Sequence, residues 1–551
     1  MAWALLAVAM CVSATWLMLA GRGLTISGDE VYYYARFIDD GGAVRPGGGL
    51  EYFLAPHNGH LVVLGKLIYR GLFLTVGTDY TVFRALEVAA VLATVLLFFV
   101  LVRRRLGPIW ALIPSVLLLF LGFAAETLVW PFNLHTVLAL AFGLGAVLSL
   151  EREDRRGDLL ACGLLFLSIA CVELGLAFAV GVAVSVIRRP DRARRAWIFA
   201  APIAIYVIWW LWARRFGQTN FELTNVHLIP TTLTDALTAV IGSLLGLNPT
   251  GEGVPTYVTT VTGWATAAAV LAAIGLGLRI RRGSVPRWLW VSLGVVLAYW
   301  LMIAMSGSPG DSVRYVFVGS VMVLLIAADA VRGMRLTRVT LIVAGCVVAL
   351  AIPPNVAKLY DALHPRVVDA ENTRAEDAML ELARPTVSPR YVPGIDPRVE
   401  TVGGHVNLPL SAGHYFRASD EFGSLAYSLE ELRGKSERVR LIADTALVDA
   451  LRISTHPTDR PSEPEACATS RDGYPGHSVY FPLPRRGVLL GPHWKFPVNV
   501  ELSRFGDGDP GVELGQLAPD RWATLRAPSD SAPTRWRVWV DGPVYVCPLA
   551  R

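Results

Sequence analysis

Charged residues are scarce in this chain. Asp, Glu, Lys and Arg make up 17% of its 551 residues, against about 25% in soluble domains. The scarcity is uneven. From Met1 to Pro354 long apolar runs alternate with short polar or arginine-bearing connectors, and after Pro354 the apolar runs stop. No paired CxxC spacing occurs among the six cysteines, which argues against a structural zinc site. No basic face on a soluble fold stands out, and the net charge of +5 is modest, so nucleic acid is not expected as a partner. The first apolar run has neither a basic flank nor a clear A-x-A site. It reads as an uncleaved anchor rather than a signal peptide.

What is present is a series of membrane-length segments. A span needs about 20 apolar residues. Eleven candidates lie near 2–20, 80–102, 108–125, 132–150, 158–171, 173–187, 197–213, 257–279, 287–305, 312–331 and 339–353. The expected architecture is therefore an α-helical polytopic membrane domain over residues 1–354. A soluble C-terminal domain over 355–551 follows, rich in β-structure and extracytoplasmic. Basic connectors occur at Arg103–Arg105, Arg152–Arg156, Arg188–Arg195, Arg279–Arg287 and Arg332–Arg338. With a cytoplasmic N-terminus all five fall on the cytoplasmic side. Residues 158–187 decide this, because basic clusters flank both ends. One long helix would separate them; two short helices turning near Glu173 would keep them together, and the hairpin is expected. The loop 21–78, the turn 126–133, the loop 214–256 and the tail then lie outside. Cys467 and Cys547 would share an oxidising compartment, where a disulfide is expected.

The outer segments carry the candidate chemistry. Asp29 and Glu30 open a short helix directly after the first span and precede Tyr32, Tyr33 and Tyr34. Acidic residues at a helix N-terminus are stabilising in themselves, but this pair sits close to a bilayer surface. A glycine-rich stretch, Gly41–Gly49, leads to Pro56-His57-Asn58-Gly59-His60. An apolar segment with Lys66 and Arg70 follows, better suited to lying at the interface than to crossing. His57 and His60 lack a third ligand at metal spacing and read as polar pocket groups. Glu126, Trp130 and Asn133 cluster at one outer turn, and Glu173 marks another. Ionisable groups at membrane depth mark function by default. Arg314, followed by Tyr315, opens a late span, where a guanidinium can hold a phosphate or snorkel to headgroups.

In this order and sidedness these residues resemble the glycosyltransferase C superfamily, polytopic enzymes that use polyprenyl-phosphate-linked sugars. The resemblance covers roughly residues 1–355. The segments Pro56–His60, Trp130–Phe132 and Ser312–Tyr315 also resemble actinobacterial membrane proteins of this type. It implies an inverting transferase in a bacterial plasma membrane. The donor would be a polyprenyl-phosphate sugar and the acceptor a cell-envelope glycan, lipid or protein. Asp29 would be the general base, Glu30 would orient the acceptor or hold a metal, and Arg314 would meet the leaving phosphate. Some members need a divalent ion such as Mg or Mn and others do not, so the metal stays open. The sequence also leaves room for a transporter or flippase of a lipid-linked sugar, or a non-catalytic assembly protein. A flippase should show internal repeats, and only one broken helix pair is legible.

In the tail, Thr373–Ala383 reads as a helix. Arg438–Ile442, His477–Phe481, Gly487–Leu490, Val498–Leu502 and Arg535–Val540 read as strands of a small sandwich.

Overall fold

The structure is a computed structural model. It describes residues 1–36, 49–217, 221–248, 262–283, 285–393, 410–464, 467–470, 479–493, 495–507, 511–528, 532 and 534–549. The expected glycine-rich segment, at residues 41–48, and positions 257–261 and 477–478 of the expected elements lie outside these. Two compact units form: Met1–Arg22 with Asp39–Arg366, and Gly23–Ile38 with Val367–Arg551.

The first unit is helical, and the chain is a multi-pass membrane protein. Among the described residues nine helices are long and apolar enough to cross a bilayer. A tenth is the pair Pro108–Leu119 and Gly122–Val129, bent by 49°. This count is close to the expected eleven and differs from it at three helices. Arg155–Cys171 and Leu174–Ile187 have only 17 and 14 residues, and Leu223–Leu245 passes although no span was expected there.

Ion pairs show which helix ends lie together. Arg189 Nη1 is 3.2 Å from Glu153 Oε1, and Arg195 Nε donates to Asp158 Oδ2 at 2.9 Å. A single helix over 158–187 would hold its ends about 45 Å apart. The chain therefore turns back at Val172–Glu173, as the hairpin reading requires. The other connectors join the same end. Arg104 pairs with Glu151 at 3.0 Å, Arg287 with Glu153, and Arg105 with Asp329 at 2.6 Å. Arg279 Nε donates to Ala330 O at 2.9 Å. Exposed pairs add little stability. The buried Arg105–Asp329 pair is different, since removing one partner costs about 3–5 kcal/mol. All five basic connectors thus share one end of the unit.

Leu223–Leu245 does not cross, despite its composition. Near its start Asn225 Nδ2 donates to Met305 O at 3.1 Å, and near its close Ser243 O accepts from Asn355 Nδ2 at 2.9 Å. Met305 ends a helix whose first residue, Arg287, sits among the basic connectors. Asn355 also accepts from Phe123 N at 3.2 Å, at the bend of the broken pair. Both ends of Leu223–Leu245 therefore lie opposite the connectors, and every connector-to-connector path crosses an even number of times. The bend itself is tight: a Cβ on Gly122 would fall 1.7 Å from Asn355 O. Asn355 satisfies backbone groups that the break sets free, as hydrocarbon surroundings demand.

Among the described residues the second unit holds the helix Asp29–Arg36, the later part of Arg338–Ala383, the helices Ala412–Phe422, Leu429–Arg433 and Glu437–Ala450, and nine strands. These are β1 (Thr455–Thr458), β2 (Ala468–Thr469), β3 (Val479–Pro482), β4 (Val488–Pro492), β5 (Val498–Ser503), β6 (Val512–Leu517), β7 (Trp522–Leu525), β8 (Arg537–Val540) and β9 (Val544–Pro548). They form two antiparallel sheets, ordered β1-β7-β4-β9-β2 and β3-β8-β5-β6. Val498, Val500 and Leu502 alternate inward on β5, as Val538 and Val540 do on β8. Arg438–Ile442 is not a strand. It lies in Glu437–Ala450, because Val439, Ile442, Ala443 and Leu447 are buried at helical spacing.

Cys467 and Cys547 are disulfide-bonded, with Cα atoms 4.7 Å apart and a sequence separation of 80. Closing so long a loop is worth about 4–5 kcal/mol in the chain-entropy model. The C467S/C547S double variant is expected to lose the second unit's folding in proteolysis at 37 °C while the helical unit stays resistant.

Candidate functional site

The sequence Asn58-Gly59 makes a hairpin turn, with φ of 49° and 80°. Two left-handed residues in succession are what an Asn-Gly turn supplies at least strain. His57 N donates to His60 O at 3.0 Å, and His60 N returns the bond at 2.9 Å. The turn thus holds two imidazoles at fixed spacing. His57 is buried, its ring 5.6 Å from that of Phe132. Burial first, and the Lys66 charge second, push its pKa down to about 3. Lys66 is also buried. It donates to Tyr52 O at 3.0 Å and Ala55 O at 2.7 Å, satisfying carbonyls at the end of Leu50–Leu54. Burial pushes the Lys66 amine down to about 7.

Glu173 stands at the tip of the hairpin and receives this turn. His60 Nδ1 lies 2.7 Å from Glu173 Oε2, and Leu61 N donates to Oε1 at 2.9 Å. Burial, the largest influence on His60, opposes its protonation. The attraction and hydrogen bond of Glu173 outweigh it, so the pKa is raised. Arg314 also opposes protonation of His60, so the two sites feel each other's charge. Trp209 Nε1 donates to Leu54 O at 2.7 Å and is buried with Leu61, Ile169 and Ala213, which locks the turn to the hairpin. His60 and Glu173 line a cavity of about 330 Å³ whose walls include Tyr206, Trp209, Trp210 and Met302.

The sign of the His60 shift makes a prediction. A raised folded-state pKa stabilises fully below the ordinary value near 6.5, and the gain is lost as pH rises through the raised value. Lys66, pushed down, acts oppositely above about 7, but it is common to wild type and variant. Between pH 6.5 and 8 the melting-temperature difference between wild type and Glu173→Gln in detergent is expected to shrink with rising pH. A constant difference would contradict it.

Glu126 is the second anchor. Its side chain is 5% exposed and lies between two guanidinium groups. Arg366 Nη2 donates to Oε1 at 2.7 Å, and Arg314 Nε is 3.8 Å from Oε2. Asn133 Nδ2 donates to Glu126 O at 3.0 Å, and Thr127 Oγ1 to Arg314 O at 3.3 Å. The Arg366 guanidinium lies 5.0 Å from the centre of the Trp130 ring, and Tyr315 packs edge-on to Tyr299 at 6.1 Å. Arg314 is 56% exposed. A half-exposed guanidinium beside a buried carboxylate can accept a phosphate in bidentate fashion.

The first unit therefore brings together His57, His60, Glu126, Trp130, Asn133, Glu173, Arg314 and Tyr315, at the end opposite the basic connectors. Asp29 and Glu30 belong to the second unit. Glu30 is fully buried, and its Oε2 accepts from Ser27 N at 3.2 Å, closing the first turn of Asp29–Arg36. Tyr34 Oη in that helix donates to Gly423 O at 2.7 Å. Arg366, Tyr206 and Trp209 were missed from sequence. Arg366 follows Pro365 in a stretch with no motif, and the two aromatics look like ordinary span residues. Among the described residues no group of three or more His, Cys, Asp or Glu could hold a metal ion.

No protein-family model matches the chain, and no curated protein matches it. Solved structures do. ArnT from Cupriavidus metallidurans bound to undecaprenyl phosphate is similar at 13% identity, with 75% of this chain and 87% of that chain covered and a TM-score of 0.44. The apo state of the same protein matches at 14% identity over 82% and 96% of the two chains, with a TM-score of 0.46. The Archaeoglobus fulgidus oligosaccharyltransferase AglB, in complex with an inhibitory peptide and a dolichol-phosphate, matches at 14% identity over 77% and 64%, with a TM-score of 0.41. Likenesses this weak carry nothing for the site, which rests on its own residues.

Proposed function

We propose that this chain is an inverting glycosyltransferase moving a sugar from a polyprenyl-phosphate donor to an extracytoplasmic acceptor. The observation that carries the reading is Arg314. It is half exposed beside buried Glu126, at the end away from every basic connector, and the cavity lined by His60 and Glu173 lies at that end too. By the positive-inside rule that end faces outward. The Cys467–Cys547 bond supports an oxidising compartment for the second unit.

In the reaction the acceptor oxygen attacks the anomeric carbon as the bond from that carbon to the phosphate oxygen breaks. Asp29 takes the acceptor's proton. The phosphate gains charge as it leaves on its lipid, and Arg314 stabilises that charge. His60 and Glu173 can hydrogen-bond sugar hydroxyls, and the aromatic walls pack the ring faces. Glu30 keeps the first turn of Asp29–Arg36 in place.

The test is transfer of radiolabelled sugar by the purified full-length protein, with a panel of polyprenyl-phosphate sugars and envelope glycan, lipid and peptide acceptors. Turnover with one donor–acceptor pair is expected. No transfer across the panel by folded protein, with transbilayer movement of intact donor instead, would overturn the reading.

A further inference from the structure

Glu126 does not treat its two arginines alike. Arg366 hydrogen-bonds Oε1 at 2.7 Å, is 16% exposed and lies over Trp130. Arg314 stands 3.8 Å from Oε2, beyond hydrogen-bond reach. Oε2 itself is buried with no hydrogen-bond partner among the described residues. Two guanidinium groups and one carboxylate carry a formal charge of +1. The geometry puts that charge on the exposed member, Arg314.

We infer that the Glu126–Arg366 pair sets the charge the site offers to a ligand, and so fixes its class: a monoanionic phosphodiester. The inference rests on the reading of Arg314 as the phosphate-binding group. Arg366 neutralises Glu126 and keeps Arg314 from being drawn onto the carboxylate. Without Arg366, Arg314 is the one cation left within reach of buried Glu126 among the described residues; their pairing cancels the charge that a phosphate needs. Without Glu126, two cations face the ligand. That set favours a phosphomonoester dianion, which is the class of the departing lipid phosphate. Glu126 therefore limits product retention. Arg366 is a positioning residue that acts through Glu126 and does not touch the phosphate.

The experiment titrates full-length protein in nanodiscs with two probes, farnesyl phosphate as monoester and its methyl ester as diester, by calorimetry. Arg366→Gln is expected to weaken both by about tenfold or more, on the scale of one lost charge interaction near a protein surface. Glu126→Gln is expected to tighten the monoester relative to the diester. The double variant E126Q/R366Q restores a formal +1 on Arg314 with a neutral hydrogen-bonding pair beneath it. It should bind the diester within about threefold of wild type. Wild-type affinity in Arg366→Gln, or a double variant no better than Arg366→Gln, overturns the inference and leaves the parent reading standing. Where Arg366→Gln fails to fold, the double variant and Glu126→Gln carry the test: an unchanged monoester-to-diester ratio in both overturns it. Wild type that binds neither probe removes the phosphate reading, and this inference with it.

Discussion

Asp29→Asn is expected to lower kcat by about 10³-fold while leaving donor KM within a few-fold, because a positioned base contributes about 10²–10⁴. The substitution keeps the side chain's shape and its capacity to accept one hydrogen bond. It removes the negative charge, and with it the ability to take up a proton. Asp29 is half-buried at the first turn of an eight-residue helix, and acidic residues there are already favoured by the helix dipole. An effect on folding must therefore be separated from an effect on chemistry. Glu30 supplies the control. It is the buried member and bonds Ser27 N. Glu30→Gln should cost stability, by about 1–3 kcal/mol if that buried group is left poorly matched. Asp29→Asn should melt within a degree or two of wild type and still lose turnover. Equal turnover in Asp29→Asn and wild type would remove Asp29 as base. A kcat loss confined to Glu30→Gln would move that role to its neighbour.

Which helix ends lie together was the most legible property of this chain, and the reason is physical. Arginine is costly inside hydrocarbon, so its placement in connectors records which helix ends share an aqueous side. The Arg189–Glu153 and Arg105–Asp329 pairs put that record into contact distances. Span counting was less secure. Leu223–Leu245 has the length and hydropathy of a crossing helix, but composition does not tell whether both ends return to one side. That was decided by Asn355, which bonds Phe123 and Ser243 across long stretches of chain. Arg438–Ile442 misled because arginine and apolar residues alternate from Arg438 to Leu441, which imitates a strand over a few positions. Only the longer run to Ala450 shows the helical period. Glu126, Glu173 and Arg314 stood out in the sequence because each is an ionisable residue at membrane depth. Arg366 was not found, because outside an apolar run a single arginine carries no signal. Its meaning comes from standing 2.7 Å from a carboxylate 240 residues earlier.

Arg314→Ala is expected to reduce kcat/KM by about 10²–10³-fold, the range found when a preorganised donor to developing charge is removed. Much of the loss should appear in kcat, since the charge on the phosphate grows as the glycosidic bond breaks. Arg314→Lys separates charge from geometry. Lysine restores a cation but not the planar fork, so it should recover part of the donor affinity and less of the turnover. Neither change should damage the fold, because Arg314 is 56% exposed and its ion-pair distance to Glu126 is 3.8 Å. Exposed pairs of this kind are worth under about 1 kcal/mol. Glu126 keeps Arg366 in both variants, so no buried carboxylate is stranded. A guanidinium that merely snorkels to lipid headgroups would behave otherwise. Alanine and lysine would then both keep near-normal kcat, and any change would disappear when anionic lipid was left out of the nanodisc.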